Sequence, residues 1–506
     1  MAADFASAFS VGGALSENVH DLALDGAGNT CVVGGFSGTV DFDPGPGTFE
    51  LTGGGTFAAK YDPAGGLLWA TRVGPSNSWF NFGPEIAAGA DGSVYVVGTF
   101  ENTATFGSTT LTSAGDDDAY VVKLDSSGDF AWANRLGGTG ADWGNDVAVG
   151  SDGSVVVMAE TRSSSSGNPD ATIARLDAEG NLLWTTTVGA SSSTTTKGKS
   201  TSTSGWARGF KLTVDSAGDV YATGRMSGTV DFDATTGATK LSGDAFVMKL
   251  SSGGNLVWAR TFAGGTVEPH DIVVDNSGNV YSTGIYLGSV DFDPGMAKSQ
   301  KFILSAAYYG SYVSALNSSG NFLWAKSTSS FDTNNYGWAE AMALDGQGGV
   351  YVAGRFVGTV DFDPDTDTFS LTSAGDADAF VWQINASGNL VWAGQMGGTG
   401  VDSARGIGVD TAGNIFVAGS FSGTADFDPG AGTYNLTSAG GADIFIAKLA
   451  QPTLDVALMA ASDTDKEKAK FRNRLQREAV IDQALEDLDL QDYRLAAWDA
   501  LLNDAP

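Results

Sequence analysis

The stretch "DLALDGAGNTCVVGGF" (residues 21–36) sets two short apolar runs on either side of a Gly-Asn turn. Its second run returns along the chain. After "CVVGG" (31–35) the same column reads "YVVGT" (95–99), "VVVMA" (155–159), "YATG" (221–224), "YSTG" (281–284), "YVAG" (351–354) and "FVAG" (416–419), seven copies in all. A second column reads "FAAKYD", "YVVKLD", "TIARLD", "FVMKLS", "YVSALN", "FVWQIN" and "FIAKLA". A third holds strands marked by Trp69, Trp132, Trp184, Trp258, Trp324 and Trp392. Short runs rich in β-branched and aromatic residues, separated by Gly, Asn and Asp, are strand and hairpin signals. The "DxxGN" turns supply glycine where a tight hairpin needs a positive φ. Each unit therefore reads as four antiparallel strands. A period of about sixty residues fits propeller blades better than a sandwich or a solenoid.

The third column has only six members. The last unit stops after "DIFIAKLA" (443–450), whereas the chain opens with "FASAFSVGG" (5–13), which matches "LVWAGQMGG" (390–398) at the closing Gly pair and places Ser7 in the Trp column. Residues 5–13 are thus predicted to complete blade seven and leave no free sheet edge. The expected fold is all-β, a seven-bladed β-propeller over 1–450 with four-stranded blades closed by the N-terminal strand. A short α-helical C-terminal tail is expected over 451–506. There glycine disappears, "TDKE" (464–467) forms a capping box, Phe471, Leu475 and Ala479 begin an apolar stripe, and "YRLAAWDALL" (493–502) reads as a second helix. Two short helices bury little by themselves, so the tail is expected to dock on the propeller or to join chains into a homo-oligomer.

Composition narrows the function classes. A hydrophobic share of 42% and a charged share of 17% suit a folded chain of 506 residues. The net charge of -32 disfavours nucleic acid and anionic membrane surfaces as partners and is compatible with cation binding. Cys31 stands alone, which excludes an internal disulfide framework and a Cys-rich zinc site. No apolar run reaches the length of a membrane span, so membrane insertion is not expected. "MAADFASAFS" lacks the basic start and long apolar core of a secretory leader. The chain is then either cytoplasmic or has lost its leader. Its Ser/Thr/Gly/Asp-rich, Lys-poor composition leans towards a secreted or surface protein of a bacterium.

The units "VYVVG…DAFVxKLDxxGNLLWA" resemble the bacterial seven-bladed β-propeller repeat (SBBP) family, and the resemblance covers residues 1–450. "DFDPG" sits where many of those repeats carry an Asp-Phe-Pro element. Blade three departs, with "TRSSSSGNPDA" (161–171) in place of that element. The resemblance implies a fold and no single activity. A weaker likeness to quinoprotein propellers is confined to strand packing.

The element "GTVDFDPG" (38–45) returns near 228, 288, 358 and 423, with paired carboxylates at Asp41/Asp43, Asp231/Asp233, Asp291/Asp293, Asp361/Asp363 and Asp426/Asp428. Two neighbouring carboxylates repel, and calcium would relieve that; an Asp-x-Asp pair, however, supplies only part of a calcium shell. The plainer reading buries the Phe and lets Asp and Pro-Gly shape a turn. No cofactor is required on this reading, and calcium is the one the chain could accept. His20 and His270 begin innermost strands at matching places, with Asn145, Glu340 and Arg405 in neighbouring columns. They read as a metal site, as a base with its orienter, or as polar lining of the channel.

Strand alternation puts the short turns on one face and the inter-blade connections on the other. That second face carries Trp79, Trp143, Trp206 and Trp338 beside Asp142, Asn145 and Glu340. Aromatics outside the core columns suit sugar stacking, or else pack on neighbouring loops. The expectation is a non-enzymatic binding propeller for a glycan or protein ligand. A glycan-active or other enzyme at the channel mouth is the alternative, and a structural component of a homo-oligomeric surface assembly is a third.

Overall fold

The computed structural model describes residues 3–75, 83–164, 167–190, 205–233, 239–294, 301–330, 334–346, 348–365 and 367–450. These residues form 34 β-strands and no helix. The fold is all-β and propeller-like. The helical tail expected over 451–506 lies outside the described residues.

The first blade shows why the sequence folds as it does. Its strands are Asn18–Leu24, Thr30–Phe36, Gly55–Tyr61 and Leu67–Gly74, paired antiparallel in that order. The second and third strands carry nearly continuous apolar runs because both of their faces are covered. The outermost strand alternates: Trp69 is buried while Leu68 is exposed. Similar four-strand runs begin at Glu85, Trp143, Trp206, Tyr336 and Ser403. One more uses the second half of Leu256–Val274.

These runs are not seven separate sheets, and the expectation of discrete four-stranded blades needs correcting. Hydrogen bonds join the strands into six sheets of 10, 7, 6, 4, 4 and 3 strands. The cause is the Asp-Phe-Asp element. Its short strand pairs with the end of the outermost strand of the preceding blade: Gly12 and Gly13 with Asp41 and Val40, Gly189 and Ala190 with Asp231 and Val230, and Gly397 and Gly398 with Asp426 and Ala425. Ala263 pairs with Asp291 and Ser329 with Asp361 in the same way. The Phe between the two Asp residues anchors each stitch, with Phe42, Phe292, Phe362 and Phe427 at 0% exposure and Phe232 at 1%.

The first strand, Asp4–Gly13, pairs antiparallel with Asn435–Ala450. Ser7 lies opposite Lys448, the relation Trp69 has to Lys60 and Trp132 to Lys123. Between blades, the strand Trp residues donate Nε1–H to carbonyls in the turn of the next blade. Trp69 reaches Ser126 O at 3.1 Å, Trp132 reaches Ala178 O at 3.1 Å and Trp258 reaches Ser318 O at 3.0 Å. The tryptophans bury their rings and satisfy their only polar atom in one contact.

Candidate functional site

The innermost strands surround a cavity of about 660 Å³. In six of them the register slips at the same place, between Val19/Asp21, Gly144/Asp146, Gly209/Lys211, Pro269/Asp271, Ala339/Ala341 and Ala404/Gly406. A β-bulge re-aims a side chain. Here it turns two successive residues towards the same space: His20 with Asp21, Asn145 with Asp146 and His270 with Asp271 all line the cavity. Glu340 and Arg405 line it too. The structure thus brings His20, His270, Asn145, Glu340 and Arg405 into one chamber.

In the same chamber three Asp side chains clasp neighbouring blades. Asp21 accepts from Ile86 N at 3.1 Å, Asp146 from Leu212 N at 2.6 Å and Asp271 from Met342 N at 2.6 Å. Lys211 lies among them, paired with Glu85 and 3.6 Å from Asp146 Oδ1. Burial pushes the carboxyl of Asp146 up to about 6 and that of Asp271 up to about 7. Burial also raises Glu85 well above the usual carboxylate range. On Lys211 burial works downward, but Glu85, Asp146, Asp21 and Asp271 outweigh it and hold the ammonium charged. For His20, burial and then Arg405 and Lys211 lower the imidazole to about 4, so it is neutral at neutral pH. His270 donates Nδ1–H to Ala339 O at 2.7 Å and sits 3.6 Å from Glu340, which Arg405 holds at 2.9 Å.

Near the start of the inner strands lies a belt of arginine, glutamate and aromatic side chains, of which Trp338, Arg355 and Glu268 line the cavity. Trp143 lies under the guanidinium of Arg162 at 4.7 Å, Trp206 under Arg208 at 5.6 Å and Trp338 under Arg355 at 5.4 Å. Glu160 binds Arg162 at 2.7 Å and Arg208 at 3.4 Å, and Glu268 meets Arg225 at 3.6 Å. Trp338 also packs on His270 and Tyr309. All three indoles are half-buried. Trp79 lies outside the described residues. Asp142 does not join the cavity: it is 0% exposed and accepts from Gly138 N and, at 2.7 Å, from Arg162 N.

The Asp-Phe-Asp carboxylates lie away from the cavity and hold turns. Asp41 Oδ1 accepts from Asp43 N at 3.1 Å and Phe49 N at 2.8 Å, and Asp43 accepts from Gly45 N at 2.8 Å. Asp291 accepts from Asp293 N and Phe302 N, Asp426 from Asp428 N and Tyr434 N, and Asp428 from Gly430 N. Among the described residues no group of three or more His, Cys, Asp or Glu side chains is arranged to hold a metal ion. Sequence reasoning passed over Asp21, Glu85, Asp146, Lys211 and Asp271. Their signal is a charged residue opening an otherwise apolar inner strand, as in "HDLAL", "NDVAV" and "HDIVV".

The regulatory protein FlaEY of Caulobacter vibrioides is 35% identical over 113 residues, which is 19% of this chain and 12% of that protein. An uncharacterized WD repeat-containing protein, L264 of Acanthamoeba polyphaga mimivirus, is 33% identical over 110 residues, or 20% of this chain and 8% of that one. The chain therefore spans a small part of either relative. Among solved structures, puromycin hydrolase superposes with a TM-score of 0.40 at 10% identity, over 81% of this chain and 51% of that one. The beta-propeller repeat profile named SBBP matches residues 391–424, the stretch from the outermost strand of blade six into the second strand of blade seven. Sequence profile and strand order agree that this propeller carries an SBBP repeat.

Proposed function

We propose that this protein is a non-enzymatic binding propeller whose ligand, a glycan or a glycosylated partner, engages the arginine- and tryptophan-bearing mouth of the channel. The observation that carries the reading is the half-buried Trp143, Trp206 and Trp338, each backed by a guanidinium, with Trp338 and Arg355 lining a polar cavity of about 660 Å³. An arginine on one face of an indole fixes the ring and leaves its remaining surface for the apolar side of a sugar. Asn145, His270 and Glu340 in the chamber below supply hydrogen-bond donors and acceptors for hydroxyls.

A glycan array followed by calorimetry tests this. Trp143→Ala and Trp338→Ala are expected to weaken binding by about 2 kcal/mol, roughly thirtyfold in Kd, with the fold retained. Trp132→Ala, which removes a blade contact, is expected to lower Tm instead. An array blank for the intact protein counts against the reading. One arrangement favours an enzyme as a second reading: a neutral His20 shares the chamber with the His270–Glu340–Arg405 group. Turnover of an array hit, abolished by His270→Gln, would establish it.

A further inference from the structure

Three blade junctions share a construction. The outermost strand ends in, or is directly followed by, Gly-Gly, and an acid follows the second Gly by four residues: Asp142 after "GG" at 137–138, Asp402 after 397–398 and Glu17 after 12–13. Each acid folds back to accept the amide of that glycine, Gly138, Gly398 or Gly13. A second acid enters from the adjoining third strand. Asp118, Asp378 and Asp443 each accept from the amide four residues earlier, Ala114, Ala374 and Ala439. All six acids are at most 2% exposed. Asp118 Oδ1, Asp378 Oδ1, Asp443 Oδ1 and Glu17 Oε1 are buried with no hydrogen-bond partner among the described residues.

The junctions differ in charge. At the first, Arg135 donates to Asp118 at 2.7 Å. Arg135 stands opposite Tyr120, and the residues in the equivalent position are Gln395, opposite Phe380, and Ser10, opposite Phe445. Gln395 reaches Asp378 at 3.3 Å but brings no charge. Two junctions therefore hold a buried carboxylate pair without the cation that the first one has built in. Leaving paired carboxylates buried and uncompensated is strongly unfavourable.

We propose that the junctions Asp378/Asp402 and Glu17/Asp443 each bind a divalent cation of the calcium class, which takes the place of the Arg135 guanidinium. Hard, flexible oxygen coordination suits the unpartnered oxygens on hand, Asp378 Oδ1 at one junction and Asp443 Oδ1 with Glu17 Oε1 at the other. Burial pushes the carboxyls of Asp378 and Asp402 up to about 6 and raises Glu17 and Asp443.

The intact chain, stripped with chelator at pH 7.5, is titrated with calcium by calorimetry and melted with and without it. Two ions per chain are expected, with a rise in Tm of about 5 °C when calcium stands a hundredfold above its Kd. Gln395→Arg is expected to remove one ion and to raise the Tm of the chelated protein, and Glu17→Gln to remove the other. Asp43→Asn with Asp428→Asn is expected to leave both ions in place. Absence of calcium heat and of a Tm response in the intact chain overturns the proposal and leaves the pairs sharing protons. Binding that survives Gln395→Arg and Glu17→Gln but is lost in the Asp43/Asp428 variant overturns it in favour of the Asp-Phe-Asp loops.

Discussion

Gly128 shows how one residue answers two demands. Its φ of 85° lies in the left-handed region, and a Cβ there would stand 2.6 Å from Cδ2 of Trp69 in the preceding blade. The repeated turn glycine is therefore a packing residue as well as a turn residue. Gly128→Ala is expected to destabilise by about 2–4 kcal/mol, from backbone strain together with overpacking against the indole. Denaturant melts measure it, and a cost under 0.5 kcal/mol would show that the contact yields freely. The same position explains the closing blade. A Cβ on Gly65, the first blade's turn glycine, would stand 3.0 Å from Cε1 of Phe9 rather than against Ser7. Ser7 occupies the Trp register, and Phe9, two residues along the same face, supplies the missing ring and packs on Tyr61 at 5.0 Å. A column alignment finds Ser7, but it takes the neighbouring blade to show which ring covers the turn.

At the scale of elements, the short Asp-terminated strands are stitches between blades, and their Phe residues fasten them. Phe362 is 0% exposed and contacts Phe356, Phe380 and Trp382. Phe362→Ala is expected to cost about 3–5 kcal/mol, while Phe369→Ala at the exposed end of the same hairpin stays within about 0.5 kcal/mol. Equal effects on Tm would contradict the stitch assignment. Deleting residues 1–13 removes the partner of Asn435–Ala450 and of the strand Thr39–Asp41 together. The expected outcome is a large fall in Tm and association through the bared edge, read by light scattering. A monomer with unchanged Tm would show that this strand is dispensable.

For the whole molecule, buried acids set the response to pH. Asp146, Asp378 and Asp402 are raised to about 6 and Asp271 to about 7. A group whose folded pKa exceeds its unfolded value contributes stability at low pH that is lost as pH rises through the folded pKa. His20, lowered to about 4, works the other way, favouring the folded state above its ordinary pKa and losing that contribution as pH falls from about 6.5 towards 4. Four acids outweigh one histidine between pH 8 and 5. In chelator the protein is expected to melt a few degrees higher at pH 5 than at pH 8. A Tm that falls steadily as the pH drops from 8 to 5 would contradict the burial of these carboxyls.

The strands themselves were legible because burial is periodic. "CVVGG" and its six relatives are apolar on both faces, and the Gly-Asn turns and strand tryptophans repeat in step with them. Local chemistry determines such elements: β-propensity, turn glycines and a face that must be covered. The count of sheets was not legible, because pairing between Gly-Gly ends and Asp-Phe-Asp strands joins residues of different repeats. Nor was the chamber. His20 and His270 stand out as the chain's two histidines, but a bulge turns Asp21 and Asp271 in beside them. Only the closed ring of strands sets Lys211 against Glu85, 126 residues away in sequence. The sequence by itself determined the repeating strands, since each is decided by its own residues and their period. The tertiary structure decided which charges meet, since strand register and the convergence of inner strands on one axis depend on the whole chain at once.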